Sequence, residues 1–207
     1  MDGGQGQMAD VVVLGAGPAG LSCALFIAKA GRKVVVVDTN QTIIKRANLR
    51  NYLGFPEGLA GRELLVRGRA QVEQFGGTVI NGRPVTVERS ARGFVVRIGK
   101  ELVKTTYMVL ATGMSFQLAE QMGAEILRGN QVQATRIVRT DPEGRTSLPG
   151  VWACGVVAGM PVQAIVAAGD GARVAVHLLT EIRGSTYVDH DIMPSARKQP
   201  TVDLSTP

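Results

Sequence analysis

Residues 11–14, Val-Val-Val-Leu, form an unbroken apolar and mostly β-branched run, the pattern of a central strand covered on both faces. A glycine-rich turn over 15–20 leads into residues 21–30, where apolar positions recur at helical spacing until Gly31 ends them. A second apolar run, 34–37, closes on Asp38, so the first forty residues predict one βαβ unit with parallel strands. Residues 41–61 are polar and turn-rich, with 51–58 reading as an ordered loop. An amphipathic helix is predicted over 62–75, closed by Gly76 and Gly77. The runs 78–80, 85–88, 94–98 and 102–110 read as short strands of a β-meander, the last leading into Ala111-Thr112-Gly113. Beyond it come one or two helical turns over 116–122, a short strand over 132–138, a buried strand entering a turn over 150–155, and a long helix over 162–179.

These elements predict an α/β fold: a Rossmann-like domain with a central parallel sheet and an additional β-meander, three layers of ββα type. A single domain is expected over 9–193. It is flanked by a flexible start over 1–8 and a disordered tail over 194–207, rich in Pro, Ser, Thr and charge. At 207 residues the chain is long enough for one domain with a substantial core.

Composition narrows the function classes. Hydrophobic content of 45% with a mean hydropathy of +0.12 fits a globular protein, and no apolar run approaches the roughly 20 residues of a membrane span. The first seven residues lack a positive segment, so no secretory leader is expected and the location reads as cytoplasmic. A net charge of +6 raises nucleic acid as a partner, but the basic residues are scattered and aromatics make up only 4%. Nucleic-acid binding is therefore not expected. The two cysteines, Cys23 and Cys154, form neither a CxxC nor a metal-ligand pattern, and no metal is expected.

The chemistry concentrates at Gly15-Ala16-Gly17-Pro18-Ala19-Gly20. A lone GxGxxG is a weak signal, but this one follows an apolar strand, opens a helix and is succeeded by an acid at the end of the next strand. Gly15 permits the tight turn, Gly17 lets backbone approach a pyrophosphate, and Gly20 lets the helix pack closely on the strand. The helix N-terminus, opening with Pro18 and Ala19, offers free N–H groups from Ala19 onward and a partial positive charge, while Asp38 suits the hydroxyls of an adenosine ribose. An empty, degenerate copy of the fold is the competing reading.

Four segments in order carry a wider resemblance: Gly15 to Gly20, Asn51-Tyr52-Leu53-Gly54-Phe55-Pro56, Ala111-Thr112-Gly113, and Thr146-Ser147-Leu148-Pro149-Gly150-Val151 with Gly155 behind it. From residue 11 to about 179 the chain resembles the thioredoxin reductase branch of the FAD-dependent pyridine nucleotide–disulfide oxidoreductase family. The resemblance implies FAD as the cofactor. It places Asn51 at the flavin or ribitol, Arg83 and Pro84 against the adenine, and the backbone of Ala111, Thr112 and Gly113 close to the cofactor. Backbone amides of Gln163 and Ala164 would face the pyrimidine side of the flavin. Asn51 also reads as an ordinary turn residue.

Three departures from that family matter. Val156 follows Gly155 where the family has an Asp bonded to the ribitol chain, a loss worth roughly 1.5–3 kcal/mol of binding. Between Gly113 and Thr146 stand only residues 114–145, too few for the inserted nicotinamide-binding domain with its CxxC. Cys23 and Cys154 read as separate core residues, Cys23 in the first helix and Cys154 before a distant turn. The chain thus reads as an FAD-binding oxidoreductase fed by an external electron-transfer protein, a separate nucleotide-binding subunit or a diffusing donor. A homodimer is implied by the family. The alternatives are a non-catalytic flavin carrier, sensor or structural subunit, and an NAD-binding regulatory protein. Tyr187 and His190, flanked by Asp189 and Asp191, are the only candidates for a flavin cap and proton donor, against the plainer reading of a solvated tail or dimer-edge contact.

Overall fold

The computed structural model describes residues 6–131 and 134–192. Residues 194–207, expected to be disordered, lie outside them. Strand β1 (Gln7–Leu14) feeds helix α1 (Pro18–Lys29), which returns to β2 (Val34–Asp38). β1 begins inside the stretch expected to be flexible: Gln7 and Met8 pair with Val103 and Lys104 of β8 (Glu101–Leu110) and so belong to the sheet. After β2 come a 3-10 turn (Ile43–Arg46), a two-residue hairpin of β3 (Asn48–Leu49) and β4 (Leu59–Ala60), and helix α2 (Gly61–Gln74).

The main sheet runs in the order β5-β2-β1-β8-β7-β6, where β5 is Thr78–Asn81, β6 Pro84–Ser90 and β7 Gly93–Ile98. β5, β2, β1 and β8 are parallel. The expected meander is therefore three strands, β6-β7-β8, and its first predicted strand belongs instead beside β2. The far edge of β8 is divided: Glu101 to Thr105 pair antiparallel with β7, and Met108 to Leu110 pair parallel with β11 (Val151–Ala153). Through β8 the meander and the parallel sheet are one sheet.

Strand periodicity of two sorts the core into layers. Val11, Val13, Val34 and Val36 face α1, α2 and α4 (Ala164–Arg183), whereas Val12, Leu14, Val35 and Val37 face Phe94, Val96 and Ile98 of the meander. Where the nicotinamide domain was expected to be missing, residues 114–131 and 134–145 hold the short helix α3 (Gln117–Gln121) and an antiparallel ribbon. That ribbon pairs β9 (Ile126–Gln131) with β10 (Ala134–Val138). Sequence reading found β10 only. β9 carries Arg128, Gly129 and Asn130, which mask its alternation.

Candidate functional site

The carboxyl ends of β1, β2 and β8 open onto a cleft of about 980 Å³, at the upper end of the roughly 300–1,000 Å³ range of ligand pockets. Gly15 turns the chain at its floor with φ of +113°, and a Cβ there would stand 2.3 Å from the Ala111 carbonyl oxygen. Glycine is required twice over, by backbone angle and by space. Gly20 does not line the cleft; a Cβ on it would lie 1.8 Å from the Gly15 carbonyl oxygen, so its absence lets α1 close onto the turn. Gly17 is the N-cap of α1, with no side-chain cap, and a Cβ on it would meet only Thr42 Oγ1 at 3.8 Å. The helix N-terminus therefore opens on a cradle shaped for an anion.

At one end of this cradle stands Asp38, the last residue of β2, 5% exposed. Its Oδ1 accepts the Asn40 N–H at 2.9 Å and its Oδ2 accepts Arg69 Nη2 from α2. Arg83 lines the same end and donates to Gln41 Oε1 at 3.0 Å. Pro84 opens β6; its side chain lies outside the described residues. Thr42 and, from the 3-10 turn behind it, Ile43 and Ile44 also line the cleft; a single 3-10 turn leaves no periodic signal in the sequence.

The other end gathers Asn51, Thr112, Gly113, Val156, Gln163 and Ala164. Asn51 Nδ2 donates to Gln163 Oε1 at 3.0 Å, joining two residues 112 positions apart across the cleft. The loop carrying Asn51 is ordered as expected: Gly58 N–H donates to the Phe55 carbonyl at 2.9 Å, and the Tyr52 and Phe55 rings meet edge to face at 5.9 Å. Burial pushes the Tyr52 hydroxyl above its ordinary pKa. One expectation needs correction. The Gln163 N–H donates to the Pro161 carbonyl at 2.7 Å, so that amide is engaged within the loop, while Ala164 begins α4.

Gly155 lies behind the cleft wall rather than on it. A Cβ on it would stand 2.7 Å from Ala19 Cβ, and its N–H donates at 2.7 Å to Oδ2 of Asp170, a carboxylate 4% exposed on α4. Arg173, one turn along α4, donates to Asp170 Oδ1 through Nε at 3.0 Å and Nη2 at 2.8 Å. Nothing along the chain marks this pair, since an Asp three residues before an Arg on a helix ordinarily belongs to a solvated face. The cysteines also need correction. Cys23 and Cys154 are neighbours in the core, and neither is exposed. That contact and burial push the Cys154 thiol well above its ordinary pKa, which keeps it protonated.

Tyr187 and His190 do not reach the cleft. Tyr187 N–H donates to Thr180 Oγ1 at 3.0 Å, and Lys29 bridges Asp189 and Asp191, each at 2.7 Å. Lys29 ends α1, roughly 16 Å along the helix axis from its cradle end. The segment straps the far end of that helix. Among the described residues no group of His, Cys, Asp and Glu is arranged to hold a metal ion, and no helix is long and apolar enough to cross a membrane.

A family model, pyridine nucleotide-disulphide oxidoreductase, matches residues 9–124. Thioredoxin reductase of Chlamydia trachomatis is 30% identical over 122 residues, covering 56% of this chain and 39% of the relative. That of Eremothecium gossypii is 28% identical over 196 residues, covering 86% and 56%. The chain spans about two fifths of the length of the first of these relatives. A solved thioredoxin reductase from Gloeobacter violaceus superposes with a TM-score of 0.73 at 19% identity, over 90% of this chain and 99% of that one. The atypical thioredoxin reductase TRi from Desulfovibrio vulgaris Hildenborough gives 0.70 at 20% identity, over 85% and 98%. At these identities the solved structures establish likeness of fold.

Proposed function

Because the chain belongs to the pyridine nucleotide-disulphide oxidoreductase family, we propose that its cleft holds FAD and that the protein is an FAD-dependent oxidoreductase without a nicotinamide domain between Gly113 and Thr146. The observation that carries this reading is the convergence, on one cleft, of side chains or backbone from three segments distant in sequence: the glycine turn, the Asn51 loop and Ala111 to Gly113. The fourth, from Thr146 to Val151, leads through β11 to Val156 on the same wall. A site for adenosine alone would not need the second half.

The residues fit the group. The N-terminus of α1 would take the pyrophosphate, with Gly15 and Gly17 leaving it room and the helix dipole offsetting its charge. Asp38 would accept the adenosine ribose hydroxyls. Asn51 and Val156 would lie beside the ribitol and ring system, with the start of α4 at the pyrimidine side, where its positive end favours the anionic reduced flavin. Bound there, FAD supplies acceptance and release of two electrons; the protein positions it and limits its contact with water.

With no CxxC in the sequence, electrons would come from a diffusing donor, an electron-transfer protein or a separate nucleotide-binding subunit, and a homodimer in the cytoplasm is the assembly we favour. A second reading, a non-catalytic flavin carrier or sensor, draws support from Val156, an apolar residue on the cleft wall where the resemblance calls for a carboxylate. Reconstitution followed by anaerobic titration tests both. One FAD per chain is expected, and failure to bind it removes the proposal. Bleaching of the oxidised flavin band by NADH or NADPH identifies an open site fed by a diffusing nicotinamide. A band that neither donor changes, and that a reduced electron-transfer protein also leaves intact, favours the carrier.

A further inference from the structure

The residue that decides how the adenosine end of the cleft works is one that does not line it. Asp38 is a carboxylate whose side chain is 7% exposed, and a buried carboxylate needs hydrogen-bond partners on its oxygens in place of water. Arg69 supplies one. Its guanidinium pairs with Asp38 Oδ2 and reaches Asn81 Oδ1 at 3.5 Å, bridging the adjacent strand ends where Asp38 and Asn81 stand in register. Arg69 is held in place by its own helix. A Cβ on the preceding residue, Gly68, would lie 3.1 Å from Leu21 Cδ1, so α2 sits close on α1 there.

An ionised carboxylate offers about four lone-pair directions. The Asn40 N–H occupies one on Oδ1 and Arg69 one on Oδ2, which leaves one on each oxygen. Since Asp38 lines the cleft and Arg69 does not, two acceptor positions side by side on one rigid carboxylate serve the cleft. That is the complement of two vicinal hydroxyls, such as the 2′ and 3′ hydroxyls of a ribose. The geometry points to Arg69 as a positioning residue that holds the Asp38 carboxylate in one orientation as a two-hydroxyl acceptor, so that the cleft selects ligands with an intact adenosine ribose. The inference rests on reading the cleft as a dinucleotide site, but not on flavin being the other half of the ligand.

The test measures ADP and 2′-deoxy-ADP binding to the full chain by calorimetry, in wild type, Arg69→Ala, Arg69→Gln, Arg69→Lys and Asp38→Asn, with FAD titrated in parallel. Wild type is expected to prefer ADP by about tenfold, the discrimination carried by one charge-assisted hydrogen bond. In Arg69→Ala and Arg69→Gln that ratio should fall to within twofold of unity, as in Asp38→Asn, and Arg69→Lys should restore part of it. A purely structural role would weaken both nucleotides alike and leave the ratio near ten. Retention of the ratio in Arg69→Gln, or its absence from wild type, overturns the inference. Failure of FAD alone to bind, with ADP discrimination intact, overturns the flavin reading instead.

Discussion

Removing the Asp170 carboxylate should loosen the turn that closes the cleft, and the loss can be worked from its contacts. In Asp170→Ala the buried Gly155 N–H loses an acceptor at 2.7 Å, leaving an unsatisfied donor at a cost of about 1–3 kcal/mol. Arg173 also loses its partner, but its side chain is 37% exposed and stays hydrated, so that contact contributes less than about 1 kcal/mol. The expected destabilisation is about 1–4 kcal/mol, or a fall in Tm of roughly 2–16 °C for a domain of this size. Asp170→Asn keeps an oxygen for the Gly155 N–H and should lose about half as much. Urea unfolding followed by tryptophan fluorescence suits the question because the chain has one tryptophan. Trp152 is 1% exposed, lies three residues before Gly155 and has the Arg145 guanidinium 4.6 Å from its ring. A loss below 1 kcal/mol in Asp170→Ala, or equal losses in the Ala and Asn variants, would show that the carboxylate does not hold the turn.

Glycine-to-alanine changes should separate packing from propensity. At Gly20 the added methyl meets the Gly15 carbonyl oxygen at 1.8 Å and should cost at least about 1–3 kcal/mol along with dinucleotide binding. At Gly169, in α4 with no atom within 4 Å, it should stabilise by about 0.5–1 kcal/mol; thermal melts of both variants decide. The Cys154 thiol ionises less readily in the folded chain than in the unfolded one. Its stabilising contribution is therefore complete below the ordinary thiol value of about 9 and falls as pH rises above it. Urea midpoints of wild type and Cys154→Ala should converge above that pH, and a constant gap would count against the assignment. Tyr187→Phe and His190→Ala should leave FAD affinity and the rate of flavin reduction unchanged, since both lie by the far end of α1; a tenfold slowing in either variant would restore them to the site.

Local patterns carried much of this molecule. A β-branched run before a glycine turn, with an acid after the next run, is constrained within forty residues. Accordingly the βαβ unit, the cradle and Asp38 were all legible. The loop from Asn51 to Gly58 was legible for a related reason, its turn residues acting within eight positions. Alternation predicts a meander of four strands because it reports that a strand is half-buried, not which neighbour it pairs with. Only the sheet assigned Thr78 to Asn81 to β2.

What the sequence could not decide is which distant groups share a volume. Cys23 and Cys154 looked unrelated because 131 positions separate them, yet α1 lies beneath the β11 turn and brings the thiols together. Asp170 and Arg69 each sit on a helix where a charged residue ordinarily faces water. Their partners, Gly155 and Asp38, come from strand ends brought to them by helix packing. Tyr187 and His190, an aromatic followed by a His between two carboxylates, have the chemistry of a flavin cap, but α4 runs its full length away from the cleft before reaching them. The cradle and its likeness to a family are written in the chain, because a dinucleotide turn is built from short-range backbone geometry. Tertiary structure alone decided which buried charges support that cradle, because a charge is stabilised by whatever lies within a few ångströms of it, however far apart along the chain.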